Sequence, residues 1–130
     1  MILPVTLCTA AAFAILSIWL MVRIGGVRRA KEIFVGDGGD EDVIRRMRAQ
    51  ANFVESAPFV FALIAAIEIS GKGGAWLPYV AGLYVLGRIA HAFGMEGSSS
   101  GKPRFVGTII TLLTLLGLAI VAALIAAGVL

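Results

Sequence analysis

Residues 105–130 read FVGTIITLLTLLGLAIVAALIAAGVL and contain no charged side chain. A helix needs roughly 20 mostly apolar residues to cross the hydrocarbon core of a bilayer. Only helices and closed barrels satisfy every backbone polar group in lipid, and this stretch lacks the alternation of apolar and polar residues that a barrel strand shows. The stretch therefore predicts a membrane-spanning helix.

Three similar apolar runs precede it. We predict four helices in all, at about residues 4–24, 40–70, 75–94 and 104–130. The second is expected to begin before its apolar part, because Asp40 is a suitable N-cap and Glu41 and Asp42 favour a helix N-terminus. The predicted fold class is all-α: an integral membrane four-helix bundle that forms one domain over residues 1–130.

The composition supports a lipid environment. Hydrophobic residues make up 59% of the chain and charged residues only 15%, with a mean hydropathy of +0.96, whereas about a quarter of a soluble domain is charged. The net charge of +3 does not indicate nucleic acid binding, since the charges lie between apolar runs. No metal site is expected, because His91 is the only histidine and has no second ligand at suitable spacing.

The distribution of basic residues predicts the orientation. Ten of the eleven Lys and Arg residues lie in or beside the first and third connections, and only Lys72 lies in the second. Positive charge favours the cytoplasmic side, so both termini are predicted to be non-cytoplasmic. At the opposite surface, Glu68 and Lys72 have the i,i+4 spacing of an ion pair.

Polar side chains inside spanning helices are costly and need a reason. Three helices carry a polar stripe near the cytoplasmic side. The stripes consist of Arg45, Arg48, Asn52 and Glu55 on the second helix, Tyr84, Arg88, His91 and Met95 on the third, and Arg104, Thr108 and Thr111 on the fourth. At 100° per residue, the four residues of the second helix fall within an arc of about 80°.

The stripes offer cations and hydrogen-bond acceptors but no clear nucleophile. This set suits an anionic, zwitterionic co-substrate that brings its own nucleophile, and glutathione has two carboxylates, an ammonium and a thiol. An arginine near the thiol would stabilise the reactive thiolate. A purely structural network remains an alternative, in which Arg88 and His91 satisfy Glu55.

Three segments make the chain similar to a known family. RAQANFVESAP at 48–58 resembles the signature of the MAPEG family, the membrane-associated proteins in eicosanoid and glutathione metabolism. GRIAHAFGM at 87–95 resembles the third-helix motif of its prostaglandin E synthase branch, and PRFVG at 103–107 resembles the start of the family's fourth helix. GDGGD at 36–40 is similar to the small bacterial branch. The resemblance covers essentially the whole chain.

The resemblance implies a homotrimer that binds glutathione between protomers on the cytoplasmic side. Arg104 matches the arginine that activates the thiol. The positions that match glutathione-binding positions are Arg48, Gln50, Asn52, Glu55, Arg88 and His91, together with Arg28 or Arg29 after the first helix. Ser56 and Met95 depart from the family, because eicosanoid-forming members carry Tyr at these positions.

The expected function is that of a membrane-bound glutathione-dependent transferase or peroxidase acting on lipophilic electrophiles, in a bacterial inner membrane. One alternative is a non-catalytic MAPEG-fold protein with a structural polar network. Another is a small multidrug/proton exporter, but such transporters need a membrane-embedded carboxylate, typically in the first helix. Residues 4–22 contain no charge.

Overall fold

The computed structural model describes all residues, 1–130, as four helices and no strands. The helices are α1 (Pro4–Lys31), α2 (Glu41–Ile69), α3 (Leu77–Gly94) and α4 (Lys102–Ala126). Helix α2 packs against all three others, whereas α1 and α4 do not touch. The architecture confirms the all-α membrane bundle.

Three helices, α1, α2 and α4, are long and apolar enough to cross a membrane. The sequence predicted four spans, but α3 has only 18 residues and includes Arg88 and His91. Both side chains are buried, at 2% and 5% exposure. The polar residues of α3 therefore lie inside the bundle and do not face lipid.

Helix α1 is longer than predicted, because it continues through Gly25 and Gly26 to Lys31. The basic residues of its last turn interact favourably with the negative end of the helix dipole. Glu32 then adopts a left-handed conformation with φ 56° and ends the helix. The apolar run therefore predicts which residues cross the membrane, but it does not predict where the helix ends.

The connection between α1 and α2 is organised around Asp40. Its side chain accepts hydrogen bonds from the backbone N–H groups of Asp42 (2.9 Å) and Val43 (3.1 Å), as expected of an N-cap. The Lys31 ammonium donates to both Asp40 and Asp42 at 2.8 Å. This ammonium holds the pKa of the Asp40 carboxyl below its usual range. The cap places the start of α2 beside the end of α1.

Glu68 does not pair with Lys72, contrary to the sequence expectation. Its carboxylate instead accepts hydrogen bonds from the backbone N–H of Val5 (2.9 Å), the backbone N–H of Thr6 (2.7 Å) and the Thr6 hydroxyl (2.6 Å). The first N–H groups of a helix have no partner within the helix, so they attract this carboxylate. Glu68 thereby joins the end of α2 to the start of α1.

Glycines allow α3 and α4 to approach closely. A Cβ atom at Gly94 would lie 2.6 Å from Arg104 Cα, and one at Gly107 would lie 2.7 Å from His91 Cβ. A Cβ atom at Gly87 would lie 2.8 Å from Ile110 Cγ2. Small residues are common where helices pack closely in membranes. This packing brings the start of α4 against the end of α3.

Candidate functional site

Ten of the eleven Lys and Arg residues belong to the half of the bundle where α1 and α3 end and α2 and α4 begin, which we call the basic end. A cavity of about 400 Å³ opens there between three helices. Its lining residues are Arg48, Asn52, His91, Met95, Arg104, Phe105 and Thr108. The cavity therefore brings together two residues from each of the three polar stripes of the sequence.

The lining includes three pairs of residues that are four positions apart. Arg48 and Asn52 lie on α2, Arg104 and Thr108 lie on α4, and His91 on α3 pairs with Met95, which directly follows the last residue of α3. Residues separated by four positions lie on the same face of a helix. The Thr108 hydroxyl donates to the backbone carbonyl of Arg104 at 2.9 Å.

Arg88 lies beside this cavity and is almost completely buried. Its guanidinium donates to Asn52 Oδ1 and, at 3.0 Å, to the Gly107 carbonyl. The Nε atom is buried and has no hydrogen-bond partner. No carboxylate pairs with Arg88. Arg88 therefore orients the side chain of Asn52, which lines the cavity, and adds a positive charge next to the cavity.

The electrostatics of the cavity favour an anion. Its lining contains two arginines and no aspartate or glutamate. Arg48 and Arg104 are both exposed on the chain and form no ion pair within it. Charge-assisted hydrogen bonds from guanidinium groups to carboxylates are among the stronger polar contacts in proteins. The arrangement suits a ligand with one or more carboxylates.

Besides Arg88, four of the predicted site residues do not line the cavity. Glu55 is exposed on α2 and has no hydrogen-bond or ion-pair partner, and Gln50 is half-buried on the same helix. Arg29 is exposed near the end of α1, and Arg28 donates to Met47 Sδ at 3.6 Å. The chain thus gathers Arg48, Asn52, His91 and Arg104, with Arg88 adjacent, and leaves these four apart.

A second charged cluster was missed by the sequence analysis. The Glu96 carboxylate accepts hydrogen bonds from Arg23 and from Arg46 Nε (3.1 Å), and Arg46 also donates to the Arg23 carbonyl at 2.8 Å. The cluster joins α1, α2 and the α3–α4 connection beside Met95. One signal was available, because Glu96 is the only acidic residue after Glu68.

Comparison with known proteins relates the chain to one family. The MAPEG family profile matches residues 6–124. Two curated relatives are both called "Inner membrane protein YecN" and come from two strains of Escherichia coli. Each is 28% identical to the chain over 92 residues, which cover 67% of this chain and 70% of the relative.

Proposed function

The chain belongs to the MAPEG family of membrane proteins, and on that premise we propose that it is a glutathione-dependent transferase or peroxidase acting on lipophilic electrophiles. The observation that carries the proposal is the cavity at the basic end, where two unpaired arginines face a volume of about 400 Å³ without any carboxylate. Glutathione supplies the missing negative charges, and it also supplies the nucleophile.

The residues divide between binding and activation. Arg48 binds a carboxylate of glutathione, and Asn52, held by Arg88, offers its amide to the peptide groups. Arg104 stabilises the thiolate. It is also the third residue of α4, so the positive end of the helix dipole adds to the field of its guanidinium. One charge-assisted contact is worth about 1.5–3 kcal/mol, which is enough to favour the thiolate substantially.

The transferase reaction then needs no other protein nucleophile. The thiol loses its proton to solvent, and the sulfur attacks an electrophilic carbon with its electron pair to form a carbon–sulfur bond. A leaving group departs with its bonding electrons, or a double bond takes up a proton. In the peroxidase reaction, two glutathione molecules reduce a hydroperoxide to an alcohol and water and form one glutathione disulfide.

A second copy of the chain completes the site in this proposal. Glu55 is exposed and unpaired within the apolar part of α2, where an ionised side chain is costly unless protein or a ligand covers it. Arg28 and Arg29 lie outside the protomer's own cavity, and Arg29 is exposed and available to a neighbour. We therefore propose a homotrimer in which Glu55 reaches the ammonium of glutathione at a boundary between protomers.

Titration calorimetry of glutathione against the purified protein tests this proposal. Arg48→Gln removes a cavity cation, whereas Arg45→Gln removes a cation on the same helix that lies outside the cavity and within 3.8 Å of Glu41. We expect Arg48→Gln to weaken binding by about tenfold or more and Arg45→Gln to have little effect. Absence of binding by the folded wild-type protein would contradict the proposal.

A non-catalytic membrane protein is the second candidate. It is favoured by Arg88, whose two hydrogen bonds both remain inside the protomer and can serve the packing of α2, α3 and α4 alone. A thiol-conjugation assay with a panel of electrophiles separates the two candidates. Glutathione binding without turnover of any electrophile or hydroperoxide would favour the non-catalytic protein.

A further inference from the structure

A long apolar groove runs between α1 and α3, and no residue of α2 or α4 lines it. It consists of two adjoining cavities of about 420 and 410 Å³ that share Ala12 and Val85. No residue of the groove lines the arginine cavity. The groove is therefore separate from the proposed glutathione site.

The groove is long enough to hold an acyl chain through the depth of one leaflet. Pro4 and Trp19 are its outermost lining residues on α1, and their separation corresponds to about 22 Å at 1.5 Å per residue. Half of a hydrocarbon core of about 30 Å is about 15 Å. Gly82 lies in the wall on α3, and a Cβ atom there would meet nothing within 4 Å. The groove can thus hold an extended chain.

Aromatic and charged groups mark the end of the groove near Trp19. The rings of Trp19 and Phe93 are 5.5 Å apart, and the Arg23 guanidinium lies 4.8 and 4.9 Å from their centroids. Trp residues are enriched at the boundary between hydrocarbon and headgroups. Arg23 and Arg46 share one carboxylate, that of Glu96, so this cluster carries one excess positive charge.

We propose that the α1–α3 groove binds one acyl chain of a glycerophospholipid, whose phosphate lies at the Arg23–Arg46 cluster. The apolar walls select an acyl chain, the groove is long enough to hold that chain through one leaflet, and the excess positive charge selects a phosphate. Hydrocarbon tails are as apolar as the groove, so apolar burial alone would not retain a particular lipid. Shape and charge together distinguish this lipid from the surrounding bilayer.

Two glycine variants test the groove. Gly82→Leu fills it, whereas Gly117→Leu adds the same side chain to an exposed position on α4 that also has nothing within 4 Å of a Cβ atom. Native mass spectrometry of protein purified in mild detergent measures the lipid retained. We expect the wild type and Gly117→Leu to retain one phospholipid per chain, and Gly82→Leu to retain about tenfold less, which corresponds to about 1.4 kcal/mol.

The headgroup is tested by lipid exchange on the wild-type protein and on Arg46→Gln. The probes are phosphatidylglycerol and a diacylglycerol with the same acyl chains but no phosphate. We expect the wild type to prefer phosphatidylglycerol and Arg46→Gln to lose much of that preference. Equal retention of lipid by Gly82→Leu and the wild type would overturn the proposal. So would dissociation of an oligomer by Gly82→Leu, because the groove would then be an interface between copies.

Discussion

Glu55 illustrates how one side chain can indicate that a site extends beyond the protomer. It follows Asn52 by three residues on α2, so it points to nearly the same face, yet it lies outside the cavity and is exposed without a partner. Arg88, which could have neutralised it, instead donates to Asn52 and to the Gly107 carbonyl. The charge of Glu55 is therefore free for a ligand or a neighbouring copy.

We predict that Glu55→Gln weakens glutathione binding by about tenfold or more, because it removes a charge-assisted contact with the ammonium group. Glu41→Gln serves as the control, since Glu41 is an exposed acidic residue in the first turn of the same helix. Calorimetric titration of both variants measures the effect. Equal affinities for Glu55→Gln and the wild type would show that Glu55 does not contact glutathione.

Spacing along a helix predicted the pairs of residues that line the cavity on α2 and α4, but not which other stripe residues lie outside it or what their partners are. Arg48 and Asn52, or Arg104 and Thr108, lie one turn apart, and this information is local. The ion pair of Arg23 with Glu96 joins residues 73 positions apart, and the buried hydrogen bond between Ser56 and Tyr84 (2.6 Å) joins two helices. Such contacts depend on how helices pack, which hydrophobic periodicity does not specify.

At the scale of the elements, the close packing of α3 against α4 sets the width of the cavity. His91 and Arg104 come from these two helices, and Gly107 lies at their contact. We predict that Gly107→Ala destabilises the protein by about 1–3 kcal/mol, because its Cβ atom would lie 2.7 Å from His91 Cβ and would overlap the Gly87 carbonyl. Thermal unfolding in detergent measures the change.

Gly117→Ala is the matched control for this prediction. Gly117 lies on the same helix, and a Cβ atom there has open space, so the substitution should be neutral or slightly stabilising through its better helix propensity. Equal melting temperatures for the two variants would mean that the α3–α4 contact is looser than described. The site would then not depend on this glycine.

The sequence located the helices better than their ends. The apolar runs placed all four helices, although only three of them are long and apolar enough to cross a membrane, and Asp40 marked the start of α2 through its capping side chain. The end of α1 was missed, since the helix continues beyond the apolar run, through Gly25 and Gly26 to Lys31. Tertiary contacts also act at helix ends. The Glu68 carboxylate of α2, for example, accepts hydrogen bonds from the first N–H groups of α1.

At the scale of the whole molecule, exposed charges on the chain predict an oligomer. Arg48, Glu55 and Arg104 are all exposed, and a homotrimer would cover them at its protomer boundaries. Native mass spectrometry in mild detergent is expected to show a trimer. A stable monomer under the same conditions would mean that each chain binds its ligand alone or does not bind it.

The orientation in the membrane remains a prediction from the basic end. We expect both termini to be non-cytoplasmic and the α1–α2 connection to be cytoplasmic, because ten of the eleven basic residues lie at one end of the bundle and positive charge favours the cytoplasmic side. Reporter fusions at Leu130 and near Gly38 test this expectation. Cytoplasmic activity of the fusion at Leu130 would reverse the orientation and place the cavity outside the cytoplasm.

We propose that Arg104 activates a bound thiol, and the ultraviolet absorbance of the thiolate tests this role most directly. Glutathione is titrated against the wild type, Arg104→Leu and the control Lys102→Leu, which removes an exposed cation two residues away and outside the cavity. If Arg104 acts mainly on the thiolate, as we propose, its loss should lower turnover far more than glutathione affinity.

We predict that bound glutathione gives a thiolate signal with the wild type and Lys102→Leu, and that this signal is lost in Arg104→Leu although glutathione still binds. If the folded Arg104→Leu protein retains both the wild-type thiolate signal and the wild-type rate, Arg104 does not activate the thiol and the catalytic account is wrong.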